Sequence, residues 1–206
     1  NGGAVKEVYV TLHDKEFVEL VDEPSTPLLA HRLEGLGFQL PDGYRGEVNL
    51  GVAPWMKRVA DALDAGFVLT IDYGYEAAAL YAPERSHGTL QTYYRHTQAA
   101  SPYRRIGEQD MTAHVDFSSV MAHGTNSGLG VVGLESQSKF LDRLGFQRLL
   151  YRLRSKKLGQ RERDSNVMAM RELVKPGGLG GFKVLVQEKG TGVTRLAEIT
   201  PAHAGP

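Results

Sequence analysis

Apolar and polar positions along this chain alternate in two different rhythms, and together they predict an α/β protein. Residues 5–12 (VKEVYVTL) and 17–21 (FVELV) are rich in β-branched and apolar side chains. The polar run His13-Asp14-Lys15-Glu16 between them predicts a hairpin with a four-residue connection. Residues 22–46 hold three of the nine prolines and read as loop around a short helix at 28–36. Val52, Trp55, Met56, Val59, Ala60 and Leu63 then recur at helical spacing, with Pro54 in the first turn and Gly66 as a stop. The continuous apolar run 67–71 predicts a strand buried on both faces of a parallel sheet, ending at Asp72-Tyr73-Gly74.

Downstream the rhythm fades. Residues 75–112 show little periodicity, yet six of the nine tyrosines lie between 73 and 103. A loop of that length inside a compact domain is usually functional or else disordered. Asp116 is placed to cap a short helix over 117–123 that Gly124 ends. A strand follows at 129–134, then a helix at 136–144 with Gly145 as terminator. Asp164 or Ser165 caps a further helix through Val174, stopped by Pro176-Gly177-Gly178, and the last strand occupies 182–188. No internal repeat is present, and residues 1–206 read as one domain.

Composition narrows the class. With 41% hydrophobic and 23% charged residues the chain is of globular type, and it has no apolar run long enough to span a bilayer. Zero cysteines excludes a disulfide framework, a thiolate zinc site and a cysteine nucleophile. With no leader pattern, the expected location is a reducing, cytoplasmic one. The opening Asn1-Gly2-Gly3, without Met and close to a strand, reads as the interior of a longer protein. Charge is zero overall, but residues 1–64 carry six basic against eleven acidic side chains. Residues 139–163 carry nine basic side chains against Asp142 and Glu162. Such a block attracts acidic partners, or it is a solvated helix followed by a mobile loop whose buried face is Leu149, Leu150 and Leu153. The block shows no base-stacking pattern, so nucleic acid is not an expected partner.

Three stretches could carry chemistry. Asp72-Tyr73-Gly74 sits beyond the end of a strand, where open α/β sheets bind ligands. There the carboxylate orients a ligand, or it simply caps the next turn. Thr112, His114 and Asp116 fall at alternate positions, so an extended backbone points all three one way. His114 beside Asp116 suits general-base work; otherwise Asp116 is a helix cap and His114 a spacer. No metal site is expected here, since two ligands are too few. His87, His96, His123 and His203 are given no role. Gly177–Gly181 precedes a strand, so it reads as a turn and not as a phosphate loop. No Walker loop, nucleophile elbow or HExxH motif occurs.

Several phrases acquire meaning as an ordered set. They are Glu47-Val48-Asn49 with Trp55, Val68 through Gly74, Gly88-Thr89-Leu90-Gln91 with His96, and Asp110 through Phe117. Gln137, Phe140-Leu141, Gly145 and Phe182-Lys183-Val184-Leu185 complete it. In order and spacing the set resembles the MidA family of S-adenosylmethionine-dependent methyltransferases. That family includes the mitochondrial protein arginine methyltransferase needed for respiratory complex I assembly. Leu179-Gly180-Gly181 departs from the Met-Gly version of that turn in the family.

The resemblance implies a Rossmann-like methyltransferase sheet of which this chain supplies the later strands, the fifth, sixth and seventh. A hairpin is added within residues 1–25, and 75–112 form a Tyr-rich substrate-side loop. The family's donor-holding elements are not among these residues, so no cofactor-binding residue is assigned. S-adenosylmethionine is then the cofactor of the complete parent protein, and this chain is its carboxyl-terminal, substrate-side half, inactive alone. The implied reaction is in-line methyl transfer to a guanidine nitrogen of a protein substrate, which needs carboxylates that hold the guanidinium. Asp72, Asp116 and Glu47 are the candidates, with Tyr73 and His114 as walls or donors. A sheet cut in this way exposes a strand edge that a second copy can pair with. Two rivals stand beside this reading. One is a non-catalytic assembly module that uses the basic face at 139–163. The other is a small hydrolase built on His114 and Asp116, which lacks a visible nucleophile.

Overall fold

The computed structural model describes residues 3–199; Asn1, Gly2 and residues 200–206, His203 among them, lie outside the described residues. In chain order the first elements are β1 (Glu7–His13), β2 (Glu16–Asp22), α1 (Pro27–Glu34), α2 (Val52–Asp61), β3 (Gly66–Asp72), β4 (Gly74–Tyr75) and α3 (Ala77–Leu80). Next come β5 (Gln91–Tyr94), β6 (Thr97–Ala99), β7 (Asp110–Thr112), β8 (Val115–Asp116), α4 (Phe117–Asn126) and β9 (Gly130–Ser136). The last are α5 (Gln137–Arg143), α6 (Phe146–Ser155), α7 (Gln160–Leu173) and β10 (Lys183–Lys189). Where the sequence suggested one domain, the chain divides into two compact units. The first comprises Asn1–Gly51 and Tyr75–Asp116, the second Val52–Gly74 and Phe117–Pro206.

The second unit is built on a three-stranded sheet in the order β3-β10-β9. β10 runs antiparallel to both neighbours, which therefore run parallel to each other. The sheet and its helices make the unit a mixed α/β fold, as expected. Val184, Leu185, Val186 and Gln187 of β10 are completely buried, as a strand covered on both faces must be. On one face Val184 and Val186 pack with Val132 and Phe140 of α5, and with Leu144, Leu196 and Ile199 around them. On the other, Gln187 and Met56 of α2 crowd Gly124 of α4 so closely that a Cβ there would collide with Gln187.

That crowding corrects one expectation: α4 does not stop at Gly124 but continues to Asn126, because the glycine serves close packing. β3 corrects another. Among the described residues it is an antiparallel edge strand, not a parallel one buried on both faces, and Phe67, Leu69 and Ile71 are 42%, 51% and 48% exposed. Directly paired residues share a face. Ile71 pairs with Val184 and Leu69 with Val186, so this bare strip continues the face that α5 covers elsewhere.

Ser136 caps α5 by accepting from the Lys139 amide, and Gly145, at φ +86°, turns the chain into α6. Residues 139–163 are thus mostly helical, not a helix followed by a loop. α7 begins after Gly159, so Asp164 sits within the helix and accepts from Gln160 Nε2 at 3.0 Å, not at the cap. Gly177–Gly181 is the expected turn: Leu179–Gly181 form one short 3-10 turn before β10. No helix among the described residues is long and apolar enough to cross a membrane.

In the first unit β1 and β2 pair over their full length, with His13 opposite Glu16. The connection is therefore two residues, not four, because Asp14 and Lys15 adopt φ +48° and +67° as a tight hairpin turn demands. The supposed loop 75–112 also holds regular structure. β5 pairs with β6 and β7 in a three-stranded sheet, and Arg95-His96 repeat the left-handed turn at φ +49° and +65°. Short strands and polar tips hid this sheet from a periodicity argument. The β1–β2 hairpin exposes apolar side chains on both faces: Val8, Val10, Leu12 and Phe17 on one, Val18 and Leu20 on the other.

A carboxylate ties the hairpin to its unit. Glu19 of β2 accepts both Arg45 Nη atoms, at 2.6 and 2.7 Å, and the Tyr103 hydroxyl at 2.7 Å. The hydrogen bonds from Arg45 and then Tyr103 hold its carboxyl down at about 2. A carboxyl depressed in the folded state adds stability above its unfolded value of about 4.3 and loses it as pH falls toward the folded one. Acid unfolding monitored from pH 5 to 2 should therefore be steeper in the native protein than in Glu19→Gln. Parallel profiles would remove Glu19 from this role.

Candidate functional site

Of the five residues expected to do chemistry, Glu47, His114 and Asp116 lie in the first unit and Asp72 and Tyr73 in the second. In the second unit, pairing with Lys183 of β10 places Asp72 at the end of β3. Its Oδ1 accepts from the Tyr73 amide at 2.8 Å, which folds the carboxylate back on the backbone at the strand exit. The Tyr73 ring meets Phe182 edge-on, with centroids 5.6 Å apart at 71°.

The first unit gathers its three residues through partners distant in sequence. Glu47 lies in the extended stretch before α2, where Asn49 Oδ1 accepts from the Gly51 amide at 2.9 Å. Its carboxylate accepts from the Thr89 amide at 2.8 Å, the Thr89 hydroxyl at 2.8 Å and the Leu90 amide at 3.1 Å. Gly88 is required beside it: its φ is +82°, and a Cβ there would strike the Glu47 carboxylate. The Thr89 hydroxyl in turn accepts from the His114 amide at 3.0 Å. One carboxylate thus fixes a loop, and through it the backbone at His114.

Around this lock the aromatic groups are ordered. The His114 ring lies 5.4 Å from the Tyr75 ring, and the Arg85 guanidinium covers Tyr75 at 3.9 Å from its centroid. Arg85 is held there because it also donates to the Ala79 carbonyl at 2.7 Å. Tyr81 is buried and donates to the Glu47 carbonyl at 3.2 Å. Burial, and after it the Asp116 carboxylate, pushes the Tyr81 hydroxyl up to about 12, so it keeps its proton throughout the physiological range.

Asp116 ends β8 and forms an ion pair with Arg32, in the last turn of α1. Thr26 caps that helix by accepting from the Leu28 amide, and Pro27 opens it. Both members of the pair are largely withdrawn from solvent, 22% and 13% exposed, and removing either partner of a buried pair is costly. Sequence reasoning had no signal for Arg32, because 84 residues separate it from Asp116. Thr89, in contrast, stands in one of the quoted phrases and could have been read as the partner of Glu47. Among the described residues no group of His, Asp and Glu could hold a metal ion.

Residues 1–135 match the profile of a family described as "Putative S-adenosyl-L-methionine-dependent methyltransferase", and the chain belongs to that family. Two solved structures from Burkholderia thailandensis resemble it. One, an uncharacterized protein, is 28% identical with a TM-score of 0.80, over 90% of this chain and 49% of that one. The other, a member of the same superfamily bound to S-adenosyl-homocysteine, is 27% identical with a TM-score of 0.80, over 94% of this chain and 50% of that one. This chain therefore spans about half the length of either. A search of curated proteins finds no match.

A donor such as S-adenosylmethionine needs a loop between a strand and a helix that backbone and glycine leave open. Among the described residues β9 runs directly into α5 through the Ser136 cap, and the Gly180 site is filled by the backbone of Val174 and Lys175. Neither of these two places in the second unit is such a loop.

The Glu47 lock makes a direct prediction. Glu47→Ala leaves two amides and a hydroxyl without their acceptor, costing about 1–3 kcal/mol where these groups are buried. Amide exchange at Thr89, Leu90 and His114 should accelerate, while exchange in β10 stays unchanged; equal acceleration in both would show a global effect.

Proposed function

We propose that this chain forms the acceptor side of an S-adenosylmethionine-dependent methyltransferase whose substrate is an arginine side chain of a protein. The observation that carries this reading is the Arg32–Asp116 pair: a carboxylate, partly withdrawn from water, already holding a guanidinium. Charge-assisted pairing of that kind is what a methyl acceptor needs for orientation. In this reading a substrate guanidinium takes the place of Arg32 at Asp116. Tyr81, protonated, offers a neutral hydroxyl nearby and cannot compete as an anion. Tyr75 and His114, their rings tilted 50° to each other, form an aromatic wall, and Glu47 positions the Thr89 loop without touching substrate. Asp72, at the end of β3, is the second unit's candidate for the same task, with Tyr73 beside it.

The donor would be held by further strands adding to the open side of β3. The end position of β3 in its sheet among the described residues supports that reading, as does the twofold greater length of the solved relatives. The bare strip of Phe67, Leu69 and Ile71 is a face left for further chain to cover. A second reading fills the same edge with another copy of this chain, making a homodimer, which sedimentation equilibrium distinguishes.

Two measurements test the proposal. Calorimetric titration of S-adenosylmethionine into the 206-residue chain should give no saturable heat; micromolar binding would place the donor site within it. In a protein carrying the donor-binding strands as well, Asp116→Asn should lower kcat/KM for an arginine peptide about tenfold or more, as loss of a charged orienting contact does. Unchanged turnover in a variant with native circular dichroism would overturn the assignment of Asp116.

A further inference from the structure

Helices α6 and α7 carry a feature for which methyl transfer has no use. Phe146, Gln147, Leu150 and Tyr151 follow one another on a single face of α6. With Arg171 and Val174 across the seam they line an open groove of about 390 Å³. Its floor is apolar, because Phe146 and Leu150 are buried, and Tyr151 stands at the rim 73% exposed. Met168, one turn before Arg171 on α7, is 69% exposed. Beyond Phe146 and Val174 the groove runs on into a hollow of about 190 Å³ bordered by Ser138, Lys139 and Asp142 of α5.

The rim is cationic. Lys139 and Arg171 border the two hollows and Arg148 adjoins Gln147, all three exposed. Among the described residues none of the three forms an ion pair, whereas nearby Arg143 is committed to Glu135. Asp142 is the opposing charge on the wall. Unpaired cations around an apolar trough complement a ligand whose apolar side chains are flanked by carboxylates.

We propose that this groove is a docking site for an acidic amphipathic helix of a partner protein. A helix laid along the seam places apolar residues at i and i+4 into the two hollows and acidic ones against Arg148, Arg171 and Lys139. A bilayer surface fits poorly, since the apolar floor is recessed and Asp142 stands beside it. Nucleic acid lacks its stacking platform, because Phe146 is buried and leaves Tyr151 as the exposed aromatic among the groove's lining residues. The proposal stands independently of the reading given above for methyl transfer.

The test uses the whole 206-residue chain and a fluorescein-labelled helical peptide of about 16 residues, long enough to hold a helix, with Leu along one face and Glu elsewhere. Saturable anisotropy is expected, weakened by salt and about tenfold or more by Arg171→Glu or Tyr151→Ser. Both side chains are exposed, so the variants should keep the native melting temperature. The same peptide with Lys for Glu should not bind. In chain labelled with ¹³C-methyl methionine, the Met168 signal should shift on binding and that of the core residue Met56 should not. The proposal falls if the Glu peptide does not saturate, if the Lys peptide binds equally, or if neither substitution matters. It falls equally if Met168 is unmoved, or if phosphatidylserine vesicles or single-stranded DNA bind the groove in preference.

Discussion

The second unit rests on one constraint: β10 must enter antiparallel between two strands that run parallel to each other. Because it lies at the centre, four successive residues, Val184 through Gln187, are sealed on both faces. Each face then needs its own cover, α5 on one and the α2–α4 pair on the other. Gln187 is the polar member of that run, and among the described residues its amide has no hydrogen-bond partner. An unpaired buried amide costs about 1–3 kcal/mol, so packing of the neighbouring side chains must offset it. The same geometry turns β3 into the edge and fixes Asp72 opposite Lys183 at its end.

The first unit solves its problem with charge where the second uses apolar burial. It is the acid-rich part of the chain, and its carboxylates act as internal acceptors that join segments far apart in sequence. Glu19 gathers Arg45 and Tyr103, Glu47 gathers Thr89 and Leu90, and Asp116 gathers Arg32. Short strands and small helices cannot bury enough apolar surface to fix one another, so directional bonds do it. The local excess of negative charge in residues 1–64 is in this sense partly consumed inside the fold. The excess of positive charge in residues 139–163 remains largely on the surface, and that contrast separates a structural use of charge from an available one.

The long, periodic elements were legible in the sequence: α2, α5 and β10 lie within a residue or two of where their patterns placed them. The hairpin was legible too, although its turn was not, since nothing local marks Asp14-Lys15 as left-handed. What could not be read was direction and partnership. An apolar run such as 67–71 looks the same whether it lies inside a parallel sheet or along an antiparallel edge, because the difference is made by β10 more than a hundred residues later. The sheet of β5, β6 and β7 escaped for the opposite reason, its strands being too short to show a period. Of the site, the carboxylates were visible and their partners were not. Arg32, Thr89 and Tyr81 are unremarkable residue types until the fold brings them to Asp116 and Glu47.

The β1–β2 hairpin has a consequence of its own. Its apolar side chains are open on both faces, and a few polar ties hold it: Glu19 to Arg45 and Tyr103, Glu7 to the Ser25 amide, and Tyr9 to the Glu23 carbonyl. A two-stranded ribbon on its own is barely stable in water. It therefore belongs to the low end of the stability spectrum and can open as a cooperative piece while the β10 core stays shut. Once lifted, it presents two bare strand margins of matched length. That is the geometry by which one molecule lends an element to another, and in this chain exchange of segments between copies would begin at its first two strands.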